Sequence, residues 1–377
     1  MHTTFKLQFK KHFDQDPIMV YRAPGRINII GEHTDYNEGL CLPAAIDKSI
    51  YFGLIPSNET LIYSFDQQNS WYPGQTSNLP NWAVYFQGIL DLLKQRGFNW
   101  PYFKLGFGGD LPSGAGLSSS SAITCGFIAL LDEFSSWNLN IRELTKFAVE
   151  GEKASGLHGG MMDQICIFNG RKDHALLIDC SNWNFTCIPA YLKAYSWLVV
   201  DTRVKHRLVE TAYNNRSFSC IRINQNIASL FKDKKSISQL DGEQFIHLKT
   251  KLQPNDRSLA EYIVDENARV LKMVKAIEDQ NILQAGMLLF EGHEGLRKKY
   301  KVSCTELDFL INYAKHSEIA AGARMMGGGF GGSTLHLLPE TFVSDYQRRI
   351  QNAYKNRFGF RPLCFEANIC NGLGRID

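Results

Sequence analysis

At 377 residues, with 44% apolar and 21% charged side chains and a formal net charge of +3, the chain is long enough for two cores and has an ordinary globular composition. Disordered, fibrous and strongly polyanion-binding classes are excluded, so nucleic acid is not an expected partner. The opening MHTTFKLQFKKHFDQDP spreads charge where a signal peptide needs an unbroken apolar segment, and no apolar run approaches membrane-spanning length. The expectation is a soluble cytoplasmic monomer with small-molecule ligands and no membrane contact.

In chain order, the segments around Met19 to Ala23, Cys41 to Pro56 and Phe103 to Phe107 are rich in β-branched and aromatic residues and punctuated by Gly, Pro and Asn, as strands are. From Ser118 the period changes. Ile123, Phe127, Leu130, Leu131 and Phe134 recur at helical spacing, and Ile141, Leu144, Phe147 and Ala148 repeat the pattern. Short strands are expected at Ala175 to Asp179 and Ser196 to Val200, helices from about Leu208 to Ala314, and a further strand at Ser333 to Leu338. This order suggests α+β rather than a regular βαβ repeat. A boundary near Ser196 divides the chain into domains 1–195 and 196–377.

Nine cysteines without a CxxC pair read as buried thiols of a reducing compartment. His293-Glu294 is followed by Arg297 where a zinc-protease helix needs a second histidine, which argues against a transition-metal site.

Three segments carry chemistry. Leu111 to Ala122, LPSGAGLSSSSA, joins an apparent strand to an apparent helix through small residues. Glycines allow close backbone approach, and the free N–H groups of a helix start attract phosphate, although a serine-rich cap on an ordinary helix would read the same way. No Gly-Lys dipeptide is present, so a Walker-type loop is excluded.

The second segment, Met326 to Gly332, satisfies GxGxxG through Gly327, Gly329 and Gly332, but it follows helical sequence and precedes a strand, the reverse of a dinucleotide fold. Five glycines in six positions still imply a backbone that comes close to something. The third, Arg22 to Asn37, RAPGRINIIGEHTDYN, is densely polar between apolar stretches. Its Glu32, His33 and Asp35 could hold a polyhydroxylated ligand through charge-assisted hydrogen bonds, or form a polar surface turn.

Together the three segments resemble the signature motifs of the GHMP kinases, and Arg22 to Asn37 resembles the galactokinase signature among them. Met161-Met162-Asp163-Gln164, Val204 to Arg216 and Leu296 to Cys304 resemble further stretches of that family, so the likeness spans about residues 20 to 335. It implies a two-domain GHMP kinase fold, α+β, with the active site between a mixed-sheet N-terminal domain and a C-terminal domain of antiparallel sheet plus helices. It also implies transfer of the γ-phosphoryl group of ATP to the anomeric C1 hydroxyl of galactose, with Mg2+ as the metal. The alternatives are a GHMP kinase for galactosamine, arabinose or a uronic acid, and a non-catalytic sugar sensor.

By the same resemblance Arg26 and Asp163 are the catalytic pair, Asp163 acting as base, and Glu32, His33, Thr34, Asp35, Gly160 and Tyr213 contact the sugar. Gly114, Ala115, Gly116, Leu117, Ser118, Ser119 and Ser120 cradle the triphosphate, and Trp82 lies against adenine unless it is a core residue. Ser120 and a glutamate hold the metal. The glutamate expected twelve residues before Asp163 falls on Gly151, between Glu150 and Glu152; the spelling Gly151-Glu152-Lys153 favours Glu152. Two more departures are Ser121 in place of the usual alanine and Ser217 in place of an arginine after Arg216, the latter removing a charge from the presumed sugar side.

Overall fold

The computed structural model describes residues 2–75, 77–154, 156, 159–205 and 209–376, with side chains omitted for 205 and 209–213. The first half runs through helix α1 (His2–Phe13), strands β1 (Met19–Asn28), β2 (Leu40–Cys41), β3 (Pro43–Pro56), β4 (Leu61–Ser64) and β5 (Asn69–Trp71), and helix α2 (Ala83–Gln95). Strand β6 (Phe103–Gly109), helices α3 (Ser119–Ser135), α4 (Ile141–Lys153) and α5 (Met162–Asn169), and strands β7 (His174–Asp179) and β8 (Asn184–Pro189) follow. A mixed six-stranded sheet, which contains β1, β3, β6, β4 and β5 in that order, is antiparallel except at the β4–β6 pair. The second half contributes an antiparallel sheet, from β9 (Tyr195–Lys205), β10 (Gly322–Met326), β11 (Gly331–Pro339) and β12 (Leu363–Glu366). Its helices are α6 (Val209–Leu230), α7 (Gly242–Lys251), α8 (Pro254–Glu278), α9 (Ile282–Gly295), α10 (Thr305–His316) and α11 (Val343–Phe358). The α+β reading is met.

Strand β3 shows why the apolar run from Cys41 to Pro56 is nearly continuous: both faces of the central sheet are covered. On one face a Cβ at Gly53 would lie 2.8 Å from the Phe9 ring of α1. On the other, Gly126 of α3 packs so closely on Phe52 that a Cβ there would meet the ring at 2.3 Å. Helix α3 is therefore central, with every residue from Ser121 to Leu131 buried, and its even spread of apolar residues follows. Helix α4 starts at a capping box in which Asn140 and Glu143 satisfy each other's backbone N–H groups.

One expectation changes. A strand, β10, and not a helix leads into the second glycine segment, and an antiparallel strand follows it; its Gly-Ala-Arg-Met-Met sequence lacks the β-branched residues that mark strands. The dinucleotide reading fails all the same, because no helix opens after the glycines. The chain's last stretch also leaves the second half: β13 (Gly374–Arg375) pairs antiparallel with β1 at Tyr21 and Arg22, and Arg22 donates to the Gly372 carbonyl at 3.1 Å. The largest core cluster likewise crosses the midpoint of the chain, joining Phe52 and Phe127 to Val270, Met273 and Leu335.

A buried ion pair ties the turn that follows β1 to the second sheet. Arg324 of β10, wholly buried, stands 2.8 Å from Oε1 of Glu32, itself 3% exposed, and donates to the carbonyls of Asn28 and Ile29 at 3.3 and 3.0 Å. Arg324→Met is expected to lower stability in urea melts by about 3–5 kcal/mol, because Glu32 is left charged in a dry place. Adding Glu32→Leu should recover much of that loss; a single-variant loss under about 1 kcal/mol would mean the pair does not hold the halves together.

Candidate active site

A cleft opens where the three glycine- and serine-bearing segments converge, lined by Arg26, Glu32, His33 and Asp35, by Gly114 and Gly116 to Ser121, by Glu152, Gly160 and Asp163, and by Gly327 and Gly328. The serine-rich loop enters it with left-handed backbone at Gly114, Gly116 and Ser118 (φ 76°, 71° and 61°), so Ser118 precedes α3 without its hydroxyl capping the helix. That hydroxyl instead donates to Oδ2 of Asp163 at 2.5 Å. The first N–H groups of α3 are left facing a cleft, the arrangement that binds anions. The two glycine loops touch: a Cβ on Gly327 (φ 79°) would lie 3.2 Å from the Gly116 Cα, and the Ser333 hydroxyl donates to the Ala115 carbonyl at 2.6 Å. Ala115 itself is buried beneath the loop and outside the cleft lining. Its carbonyl is taken by Ser333 and its methyl is packed in the core, so its part in the expected cradle falls to the backbone N–H alone.

A bulge in β1 between Pro24 and Arg26 turns the strand against this loop, and the Arg26 N–H donates to the Leu117 carbonyl at 3.2 Å. The Arg26 guanidinium then forks onto Asp163, Nε to Oδ1 at 2.7 Å and Nη2 to Oδ2 at 3.0 Å, while Nη1 donates to the Gly116 carbonyl at 2.6 Å. Burial works against the charge of Arg26, but Asp163 and Glu32 outweigh it and raise its pKa. Asp163 sits in the first turn of α5, where a carboxylate complements the helix dipole, and keeps a quarter of its side chain exposed to the cleft. Arg26 and Asp163, 137 positions apart, thus act as one unit.

On the opposite wall Asp35 faces Gly160, where a Cβ would stand 2.2 Å from Oδ2 of Asp35; only glycine leaves that carboxylate its place. Burial, then the nearby charge of Asp163, pushes the Asp35 carboxyl up to about 7. His33, with φ 62°, is held neutral, its pKa pulled down to about 3 by burial and by Arg324 and Arg216. Its Nδ1 is 2.7 Å from the Tyr36 hydroxyl, which lies 2.8 Å from that of Tyr300. Glu32 reaches the cleft, although its Oε1 also accepts from the Gly327 N–H at 2.9 Å. Thr34 does not reach it: the hydroxyl donates to the Gly31 and Leu40 carbonyls at 2.8 and 2.7 Å and the residue is fully buried. Its expected sugar contact is corrected to a brace that closes the turn. The side chain of Tyr213 lies outside the described residues.

The two glutamates separate cleanly. Glu152 lines the cleft and accepts from Ser121 at 2.8 Å, from Gln164 at 2.5 Å and from Ser120; burial lifts its carboxyl to about 7. Glu150 pairs with Arg96 on the outer face of α4. Because helix neighbours two apart face different ways, only one of them reaches the cleft. An oxygen-only pair, Ser120 and Glu152, fits Mg2+, which takes few protein ligands and keeps its waters. Among the described residues, no group of three His, Cys, Asp or Glu could hold a metal unaided.

Trp82 is corrected to its core reading. It is 4% exposed, wedged edge-on against Phe86 and Phe107, with Nε1 donating to Asn69 at 2.9 Å, and it lines no part of the cleft. Ser217 is buried in α6 and likewise outside the lining. Arg324 and Gln164 are functional neighbours that motif reading left without a role. A lone arginine inside the apolar β10 run was the available signal for the first.

Comparison with known proteins agrees with this geometry. Residues 7–54 match the galactokinase galactose-binding signature, 84–171 the GHMP kinases N terminal domain and 241–356 the GHMP kinases C terminal domain. The chain is 34% identical over 359 residues to galactokinase of Thermotoga maritima, covering 95% of this chain and all of the relative, and 32% identical to that of Clostridium beijerinckii, covering 98% of each. The crystal structure of Lactococcus lactis galactokinase complexed with galactose superposes with a TM-score of 0.91 at 27% identity, covering 99% of both chains. A mevalonate kinase, at 17% identity and a TM-score of 0.63, covering 94% of this chain and 99% of its own, shares the fold alone. No helix among the described residues is long and apolar enough to cross a membrane. With its signature, both domains and its full length matched, the chain belongs to the galactokinase family of GHMP kinases.

Proposed function

We propose that the chain transfers the γ-phosphoryl group of ATP to the anomeric C1 hydroxyl of galactose. The fork of Arg26 on Asp163 carries this reading, because it stands between the anion-binding start of α3 and the Asp35–Gly160 wall. Phosphoryl transfer through a loose transition state asks mainly for positioning and charge stabilisation. Arg26 supplies a fixed charge in a water-poor site, where it counts for more than in water. Asp163, steadied by Arg26 and Ser118, offers its cleft-facing lone pairs to the sugar hydroxyl, orienting it and taking its proton as the bond to phosphorus forms.

The N–H groups from Gly114 to Ser120 hold the phosphates, and Ser120 with Glu152 would hold Mg2+. The metal, when bound, neutralises charge on the phosphate oxygens. Glu32, His33, Asp35, Gly160 and, by resemblance, Tyr213 would form the sugar side. The Ser217 departure, being buried away from the cleft, gives no support to a different sugar. A silent sensor is disfavoured because both members of the reacting pair are present and in contact.

The test is ATP consumption against a panel of free sugars, with the position of the new phosphate found by NMR. Preference for an amino sugar or a uronic acid, or a phosphate elsewhere than C1, would overturn it. Asp163→Asn is expected to abolish nearly all turnover while galactose and ATP still bind in calorimetry, so turnover within a few-fold of wild type would remove Asp163 from the mechanism.

Metal ligation is read from magnesium titrations of kcat. Glu152→Ala should raise the Mg2+ requirement about tenfold or more, the scale on which metal-site mutations act, while Glu150→Ala leaves it within about twofold; the reverse order would move the metal.

Galactose and glucose differ only at the 4-hydroxyl, and Asp35 is the acceptor expected to tell them apart. Leaving a buried carboxylate unpaired lowers kcat/KM for glucose by roughly two to four orders of magnitude. Asp35→Ala should shrink that ratio mainly by harming galactose, and equal wild-type values for the two sugars would exclude this basis of selection.

A further inference from the structure

The turn from Gly31 to Leu40 carries Glu32, His33 and Asp35, yet its own backbone makes no regular sheet until Leu40. Besides Thr34 and Arg324, it is held from more than two hundred residues away, by helix α8. Tyr262 donates its hydroxyl to the Glu32 carbonyl at 3.0 Å. One turn later Oε1 of Glu266 accepts the Gly31 N–H at 2.9 Å, and the adjacent Asn267 accepts the Leu40 N–H through Oδ1 at 2.6 Å. Tyr262 and Glu266, four apart, share a helix face, and Asn267 stands beside Glu266, so these three side chains meet the turn as a single clamp.

Glu266 is the unusual member. Its side chain is wholly buried and paired with Arg269, whose Nε donates to Oε2 at 2.9 Å. An ion pair in that position contributes little net stability compared with apolar residues of the same size. What the carboxylate adds is a charge-assisted hydrogen bond, roughly twice as strong as a neutral one, on the N–H of a residue whose φ of 94° only glycine adopts easily. Gly31 is also immobile from behind, since a Cβ there would stand 2.7 Å from the Cys41 Cα and 3.0 Å from Val270 of α8. The direction in which Glu32 leaves the backbone is therefore set from α8.

We infer that Glu266 is a positioning residue for sugar binding, acting through the Gly31 N–H to aim the Glu32 to Asp35 turn at the cleft. This rests on the reading that the turn binds galactose, and the experiment separates the two. Steady-state constants and calorimetric galactose affinity are measured on wild type, Glu266→Ala, Tyr262→Phe and the double variant Glu266→Gln with Arg269→Met, alongside thermal melts. Wild type that neither binds nor phosphorylates galactose would overturn the function itself.

Given an active wild type, Glu266→Ala is expected to raise KM and Kd for galactose about tenfold or more while KM for ATP stays within about twofold, a loss of sugar binding alone. The double variant keeps an amide oxygen for Gly31 and removes both charges, so its galactose KM should return to within about threefold of wild type. A lower melting temperature with unchanged galactose KM in Glu266→Ala would reduce the residue to a stabiliser and overturn the inference. Should Glu266→Ala not fold, Tyr262→Phe decides: it deletes one hydroxyl from the same clamp, and an unchanged galactose KM in it overturns the inference, whereas a selective rise of about threefold or more upholds it.

Discussion

The buried pair of Glu32 and Arg324 is the contact on which the site's geometry depends. One carboxylate oxygen meets the guanidinium and the N–H of Gly327, so a single residue fixes the distance between the sugar-side turn and the second glycine loop. The Nη1 of Arg324 donates to the carbonyls of both Asn28 and Ile29, fastening the end of β1 to β10. With those two segments joined, the second glycine loop lies on Gly116 at backbone contact, and the phosphate-side loop is positioned in turn. A buried ion pair is a poor source of stability; its use here is to enforce a particular approach of three loops that local structure would leave independent.

The electrostatics of the cleft are arranged for ligands and not for the empty protein. Asp35, Glu152 and Asp163 line one small space together with Arg26 and Lys153, and burial drives the Asp35 and Glu152 carboxyls up to about 7. Carboxylates held in that condition gain from a sugar hydroxyl or a metal ion, since either supplies the donor or charge that burial removed. Hydrogen bonds from two serines and a glutamine pull the Glu152 carboxyl down without offsetting its burial. Such a site costs folding stability, and the tight glycine contacts around Phe52, Gly126 and Gly53 show a core packed well enough to carry the cost.

The misreadings share a cause. Thr34 lies inside the right motif but points the wrong way: a motif's spelling covers residues that touch the ligand and residues that brace those that do, and spacing does not separate them. Trp82 has the same form, since an aromatic at the edge of a helix reads alike whether its face meets a base or the rings of Phe86 and Phe107. β10 went unseen because Ala, Arg and Met carry no strand preference and tertiary pairing with β11 overrides that.

The amino-acid sequence alone determined the α+β class, the positions of β1, β3, β6, α3 and α4, and the three glycine-rich or polar loops that line the cleft. Those features are local: they follow from apolar period, glycine φ freedom and helix-start chemistry, each expressed within about twenty residues. Only the tertiary structure decided that Glu152 and not Glu150 faces the cleft, that Arg26 forks onto Asp163, that Arg324 neutralises Glu32 and that α8 reaches across to clamp the turn at Gly31. These contacts join residues from 31 to 292 positions apart. Their existence depends on how strands and helices pack, to which the residue spacing along a single chain is blind.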